Sequence, residues 1–322
     1  MGDDSSDETP LSPGDAFAAL GHEIRVGILE ALADATRVER PLAFSELRGR
    51  VGTVDSAKFN YHLGELVGHF VARTDDGYDL RPAGERVAEA VLSGAVTDDP
   101  VMDRVPIDAT CPYCGAGVEM AYRDERTAAF CPECRGAYAM SAGRVEKDAP
   151  DEYGFLGYLD LPPAGIQNRT PTEVFETALR WHLSGQLLAS TGTCSRCSAP
   201  MEEWLTLCDD HEGGDGACPE CDNRYAAQHS ARCTNCVYSR RTTFGVYLLD
   251  SVELQSFLTA HGVDLVSPDY DQFASVVMNY GEEIHDADPF EASFTFTADG
   301  DAITLTVDDD FDVVDVAEQT VD

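Results

Sequence analysis

Asp55-Ser-Ala-Lys-Phe-Asn-Tyr-His-Leu-Gly-Glu-Leu-Val-Gly68 is the stretch on which the fold of this chain turns. Phe59, Leu63, Leu66 and Val67 recur at helical spacing, which predicts a helix with one side on a core. At about 100° per residue, the opposite side carries Ala57, Tyr61, Gly64 and Gly68, flanked by Lys58 and Asn60. Asp55 or Ser56 serves as the N-cap. So small and nearly neutral an outer face is unexpected in a chain with 59 acidic residues against 22 basic ones. It can approach a phosphate backbone closely, and Ser56, Lys58, Asn60 and Tyr61 can contact phosphates and base edges. Any compact helical domain has some helix with a polar outer face, so the flanking sequence has to decide. His62 lies within about 60° of Phe59, which suits packing or a phosphate contact better than base reading.

Working outward, Ser12-Pro13 with Asp15 has the spacing of a capping box with proline at the first helical position. Residues 15–32 read as two amphipathic helices hinged at Gly21, and residues 44–52 as a short third helix. Residues 70–80 predict two short strands around an Asp-Gly turn, with Arg73 beside it, and Pro82 opens a helix through Leu92. The order is three helices, a candidate recognition helix, a β-wing and a closing helix. It resembles the winged helix-turn-helix of ArsR-type transcriptional regulators, carried by Ala19-Leu-Gly-His-Glu-Ile-Arg-Val-Gly-Ile-Leu29 and Tyr61-His-Leu-Gly-Glu-Leu66. The resemblance covers about a quarter of the chain. It implies double-stranded DNA as partner, a homodimer with contacts from the first and last helices of the domain, and Ser56, Lys58, Asn60, Tyr61 and Arg73 as DNA-binding residues. Thiol-based metal sensing, frequent in that family, would need cysteines in this domain, and residues 1–110 contain none.

The net charge of −37 is spread over the whole chain, and lysine is reduced to Lys58 and Lys147. That pattern resembles the proteins of halophilic archaea, in which concentrated salt screens the self-repulsion. An acidic chain is ordinarily a poor partner for DNA. At molar salt, however, counterion release contributes little, and recognition falls to shape, base edges and helix N-termini. No signal peptide or apolar run of membrane-spanning length is visible, so the expected location is cytoplasmic, with reduced cysteines.

All eleven cysteines stand in Cys-x-x-Cys or Cys-x-x-His pairs. Cys111 and Cys114 are separated by sixteen residues from Cys131 and Cys134. The intervening Val118–Phe130 alternates like a hairpin, which makes a zinc ribbon; Gly115 permits the turn that aims backbone amides at sulfur. A redox motif would show one such pair between a strand and a helix. Further on come Cys194/Cys197, Cys208/His211, Cys218/Cys221 and Cys233/Cys236. With His211 as twelfth ligand the chain supplies three four-ligand sets, hence three structural Zn2+ ions. Near-equal gaps of ten and eleven residues favour tandem sites, 194/197/208/211 and 218/221/233/236. A long hairpin of strands 200–207 and 224–232 would nest them instead, and a cross-braced arrangement is the third option.

The expected architecture is α+β and multidomain: an acidic disordered tail at 1–10, a winged helix-turn-helix at 11–97, a linker from Thr97 to Asp103, and a zinc ribbon at 105–145. A C-terminal α+β domain with antiparallel strands follows at 150–322 and carries the Cys/His array at 192–240. Within it, 150–170 reads as loop, 172–189 as a helix capped by Thr170 and Glu173 with Trp181 in the core, and His182 as a satisfied helix histidine. Helices at 252–261 and 269–280 precede a meander of strands at 290–297, 302–307 and 311–316. This region resembles those fused to uncharacterised halophilic winged-helix regulators, which brings no chemistry with it.

The expected function is sequence-specific DNA-binding transcriptional regulation, with a zinc-stabilised module that senses a small-molecule or protein effector. Two alternatives make another element functional: a zinc or redox sensor built on the Cys/His array, and a protein-interaction adaptor using the acidic C-terminal sheet. An enzyme is not expected, because no catalytic triad, phosphate-binding glycine loop or His-Glu-x-x-His is present.

Overall fold

The computed structural model describes residues 11–52, 55–139, 153–214 and 216–320. The fold is α+β with several antiparallel sheets, divided into two compact units, Met1–Asp99 and Pro100–Asp322. The tail expected at 1–10 lies outside the described residues.

The first unit runs α1 (Pro13–Leu20), α2 (Glu23–Ala33), α3 (Phe44–Val51), α4 (Ser56–Gly64), β1 (Val71–Arg73), β2 (Tyr78–Leu80) and α5 (Pro82–Leu92). Side chains set the starts: the Asp15 N–H donates to Ser12 Oγ, and the Lys58 N–H donates to Asp55 Oδ1 at 2.7 Å. Each cap satisfies a backbone N–H that the first turn leaves open. Helix α2 is the hub, packed on α3, α4 and α5, and its Ile28, Leu29 and Leu32 are buried with Leu47, Phe59, Leu63 and Leu66. The buried Arg25 ties three helices together. Its guanidinium donates to the carbonyls of Ala18 and Ala19 and to His62 Nδ1, and pairs with Glu65 at 3.4 Å. His62 is therefore a packed residue; burial first, then His22, Arg25 and Lys58, hold its pKa below the usual histidine value.

Among the described residues, the second unit is built on three antiparallel sheets. The first has the order β3 (Met102–Thr110), β4 (Gly117–Arg123), β5 (Arg126–Cys131), β6 (Gly154–Asp160). The second is β7 (Met201–Leu207), β8 (Ala227–Cys233), β9 (Ser239–Thr243), and the third is the meander β10 (Gly281–Ala287), β11 (Phe290–Ala298), β12 (Asp301–Val307), β13 (Val313–Gln319). Helices α6 (Pro171–Ser190), α7 (Phe244–Tyr247), α8 (Val252–Ala260) and α9 (Tyr270–Val277) join them over one core. That core takes Val118, Met120 and Tyr122 from β4, Leu179 and Leu183 from α6, and Phe294 and Phe296 from β11. Phe244 stacks on Phe294 with ring centroids 4.4 Å apart.

Several expectations change. Residues 154–160, read as loop, form β6 and pair with β5 from Arg126↔Asp160 to Cys131↔Gly154. The ribbon hairpin therefore belongs to a larger sheet, and that pairing crosses the division expected after residue 145. The linker already becomes β3 at Met102, and β10 adds a strand before the meander. Trp181 is 56% exposed. It sits about 200° round the helix from the buried Leu179, so indole size misled where angular position decides. The capping box of α6 forms with both of its hydrogen bonds, Thr170 N–H to Glu173 Oε2 and Glu173 N–H to Thr170 Oγ1.

Candidate metal centres and the outer face of α4

Among the described residues, three groups of four side chains bring their ligand atoms within 4.8 Å of one another: Cys111/Cys114/Cys131/Cys134, Cys194/Cys197/Cys233/Cys236 and Cys208/His211/Cys218/Cys221. The second and third are nested, which corrects the tandem expectation. The β7–β8 register explains why. β7 pairs with β8 antiparallel from Met201↔Cys233 to Leu207↔Ala227. The knuckle before β7 and the one at the end of β8 therefore share one end of the hairpin. Cys208 follows β7 directly, and Cys218 and Cys221 precede β8, so they meet at the other end.

One local motif recurs at the knuckles. The N–H of the first cysteine donates to the carbonyl five residues on, Cys111 to Ala116, Cys194 to Ala199, Cys218 to Asn223 and Cys233 to Tyr238, at 2.7–2.9 Å. In three of them the residue after the second cysteine takes a left-handed φ: Gly115 at 75°, Ser198 at 60° and Asp222 at 59°. Its N–H returns to the carbonyl of the first cysteine, closing a turn that holds both sulfurs on one side. Glycine makes that φ free of strain at 115, and short polar residues tolerate it elsewhere. Gly136, at φ 67°, has a second reason: a Cβ there would collide with the Phe155 carbonyl.

The donor sets fit a tetrahedral dication. Sulfur–sulfur distances are 3.7 Å for Cys111–Cys134, 3.5 Å for Cys114–Cys131, 3.7 Å for Cys194–Cys236 and 3.4 Å for Cys197–Cys233. Ligand bonds of about 2.3 Å in a tetrahedron put sulfurs about 3.8 Å apart, whereas a disulfide needs about 2 Å. In the mixed group His211 Nδ1 lies 3.5 Å from Cys221 Sγ, and its Nε2 lies 3.1 Å from the Arg224 carbonyl. With Nε2–H donating to that carbonyl, Nδ1 keeps its lone pair for a metal, the usual outer-shell arrangement of a ligating histidine.

The thiols compete for charge. At Cys233 the Cys236 N–H does most to bring the thiol down to about 6, burial opposing. Cys236 goes up to about 12: the Tyr238 N–H lowers it, but burial and the neighbouring sulfurs prevail. Burial also pushes Cys134 and Cys208 up to about 11. Clustered sulfurs cannot all ionise alone, and a cation at the centre of each group removes that conflict.

The first and third groups are mechanically joined. The Arg224 N–H donates to the Ala137 carbonyl and the Ala139 N–H to the Asp222 carbonyl, while the Arg224 guanidinium lies 4.0 Å over the Tyr113 ring. Sequence reasoning had no signal for this link, because it depends on a strand-like bridge between Tyr138 and Asn223.

In the first unit, Ser56, Lys58, Asn60, Tyr61 and Gly64 of α4 are exposed, while Phe59, His62 and Leu63 are buried. Arg73 is exposed at the end of β1. Among the described residues no helix is long and apolar enough to cross a membrane.

A family model described as a domain of unknown function (DUF7351) matches residues 108–313, and a second, also described as a domain of unknown function (DUF7347), matches residues 13–91. No curated protein and no solved structure matches the chain. The DUF7351 match spans well over half of the sequence and all twelve metal-ligand candidates, and the chain belongs to that family.

Proposed function

We propose that the protein is a sequence-specific DNA-binding transcriptional regulator that works inside the cell as a homodimer. In this reading residues 11–97 are a winged helix-turn-helix of the ArsR type, α4 is its recognition helix and the β1–β2 hairpin its wing. Residues 100–322 form a module held together by three zinc ions, which senses an effector or binds a partner. The observation that carries the reading is the division of α4. Phe59 and Leu63 anchor it in the core, and Ser56, Lys58, Asn60 and Tyr61 form its solvent face. That face suits close entry into a major groove, with Lys58 on phosphate, Asn60 and Tyr61 on base edges, and Arg73 on the backbone beside the wing. Exposed apolar residues on the two terminal helices, Phe17 on α1 and Leu92 on α5, favour the dimer.

Genome-wide DNA occupancy of the tagged protein in its host, beside a Lys58→Glu/Asn60→Ala variant, tests the reading. Sharp peaks sharing a two-fold motif, lost in the variant, are expected. Absence of peaks for both proteins would remove the regulator reading.

A second reading, a zinc or redox sensor, is favoured by one contrast. The mixed group has one buried residue, Cys218, with its other three half-buried, whereas each all-cysteine group has two buried cysteines and one exposed. Mild chelation releasing one metal equivalent and leaving two would support it.

A further inference from the structure

Arg224 touches the ligand shells of the first and third groups at once. Its carbonyl lies 3.1 Å from His211 Nε2 and accepts the hydrogen bond that leaves Nδ1 free for a metal. Its N–H donates to the Ala137 carbonyl at 2.8 Å, just beyond the Cys131–Cys134 knuckle. Its guanidinium donates to the Gly136 carbonyl at 3.4 Å and lies 4.0 Å over the ring of Tyr113, inside the Cys111–Cys114 knuckle. One residue therefore orients a ligand of the mixed group and braces both knuckles of the first.

Two further contacts join the same pair of groups. Tyr113 and Tyr225 donate their hydroxyls to one acceptor, the Met278 carbonyl, at 3.0 and 2.7 Å. Gly216, in the loop between His211 and Cys218, has no room for a side chain, because a Cβ there would collide with the Cβ of Arg135, the residue after Cys134. The second group stands apart. It closes the opposite end of the β7–β8 hairpin from the third. At about 3.3 Å per residue that end is about 20 Å away along the strands.

Metal binding orders the knuckles that supply the ligands. Ordering the first group fixes Tyr113, Gly136 and Ala137; these hold the Arg224 peptide, and its carbonyl holds the His211 ring. Part of the ordering entropy of the mixed group is then already lost, which favours filling it. Charge acts the other way, since thiolates outnumber the charge of a dication in both groups and two filled groups repel. The Arg224 cation, in contact with both shells, offsets that repulsion.

We propose that the first and third groups bind and release zinc as a coupled pair, with Arg224 as the positioning residue between them, and that the second group acts alone. The proposal rests on the reading of the three groups as zinc sites and deepens it. Occupancy of the first group sets how fast the mixed group gives up its metal, and by linkage the mixed group favours the first by the same factor in affinity. The labile site of the sensor reading is then a gated one.

The test is release of zinc from the full zinc-loaded chain to a chromophoric chelator, for the wild type, Cys114→Ser and Cys197→Ser, and for each again with Arg224→Ala. The two cysteines are matched, since each is exposed and ends the first knuckle of its group. Hydrogen exchange at the Glu212 and Asn235 N–H groups, which donate to the sulfurs of Cys218 and Cys233, tells which group empties. Cys114→Ser should speed release from the mixed group by about tenfold or more, the size expected when the outer-shell support of a ligand fails. Cys197→Ser should change it by less than about twofold. Arg224→Ala should still bind three equivalents and release the mixed group's faster, and in that background Cys114→Ser should add less than about threefold. Arg224→Lys, which can again lay a cation on Tyr113, should restore most of the effect.

Equal acceleration of the mixed group by Cys114→Ser and Cys197→Ser would overturn the coupling. So would acceleration of the second group alongside the mixed one in Cys114→Ser, which marks general loosening. An undiminished effect in the Arg224→Ala background would overturn the role of Arg224. Fewer than three equivalents in the wild-type chain would remove the zinc reading itself and the coupling with it.

Discussion

The two units solve the same problem, holding short elements together in a very acidic chain, by different means. Residues 11–99 contain no cysteine and rely on one apolar cluster around α2, with the Arg25 hydrogen bonds as a tie. Residues 100–322 have a larger core but put three hairpin ends, where two-residue knuckles leave little to bury, under four-ligand groups. Apolar burial needs a contiguous face, whereas a metal needs only four atoms. The first unit is therefore expected to keep its fold without metal, and the second to lose at least its knuckles.

Metal removal gives the largest effect. Structural zinc sites are worth on the order of 10 kcal/mol each in small domains. After stripping with a strong chelator, hydrogen exchange should accelerate across 111–139 and 194–238, while amides of α2 and α4 keep their protection. Uniform loss of protection in both units would break the comparison.

A core truncation tests its other side. Phe59 is fully buried, and Phe59→Ala is expected to cost about 3–5 kcal/mol by thermal or denaturant unfolding of the first unit. Three metal equivalents should remain bound. Tyr61→Ala, two residues along on the exposed face, should change stability by less than about 0.5 kcal/mol and, under the proposed function, weaken DNA binding.

The same contrast explains what could be read from sequence. In the first unit the signals are local: Ser12 and Asp55 caps, helical spacing of Phe59 and Leu63, an Asp-Gly turn. Each acts within a few residues, so the starts of α1–α5 and the hairpin were legible; the end of α4 was not, because the helix stops at Gly64 and Leu66, Val67 and Gly68, read as helical, lie beyond it. In the second unit the twelve ligand candidates were equally legible, because their spacing is local. Their partition was not. Whether Cys197 meets Cys208 or Cys233 depends on a strand register 36 residues apart in sequence. β6 was hidden for a similar reason: Gly154 and Gly157 weaken its strand pattern, and the register with β5 that makes it a strand is a property of the sheet.

The nested partition has its own test. Cys194→Ser and Cys236→Ser should each cost one metal equivalent, and the double variant also only one, by elemental analysis of the purified chain. In a tandem arrangement the double variant would lose two. Because Arg224 joins the first and third groups, Cys131→Ser should in addition loosen amides near 222–225, while Cys194→Ser should not.

The smallest effect is a divergence with pH. In the first unit His62 is buried with its pKa held down, so the folded state resists a proton that the unfolded chain accepts below about 6.5. Acidification through that range costs the first unit stability. In the second unit Glu282 accepts the Ala226 and Ala227 N–H groups at 2.6 and 3.2 Å, yet burial outweighs them and raises its pKa to about 7. The folded state then holds the proton more tightly than the unfolded chain. Its contribution is complete below about 4.5 and is lost as pH rises through about 7. Taking the metal-loaded chain from pH 8 to pH 6 should therefore raise the protection factors of Ala226 and Ala227, taken relative to the intrinsic exchange rate at each pH, and lower those of α4. Glu282→Gln should abolish the first trend and leave the second, which separates a carboxylate effect from any loosening of the neighbouring metal group.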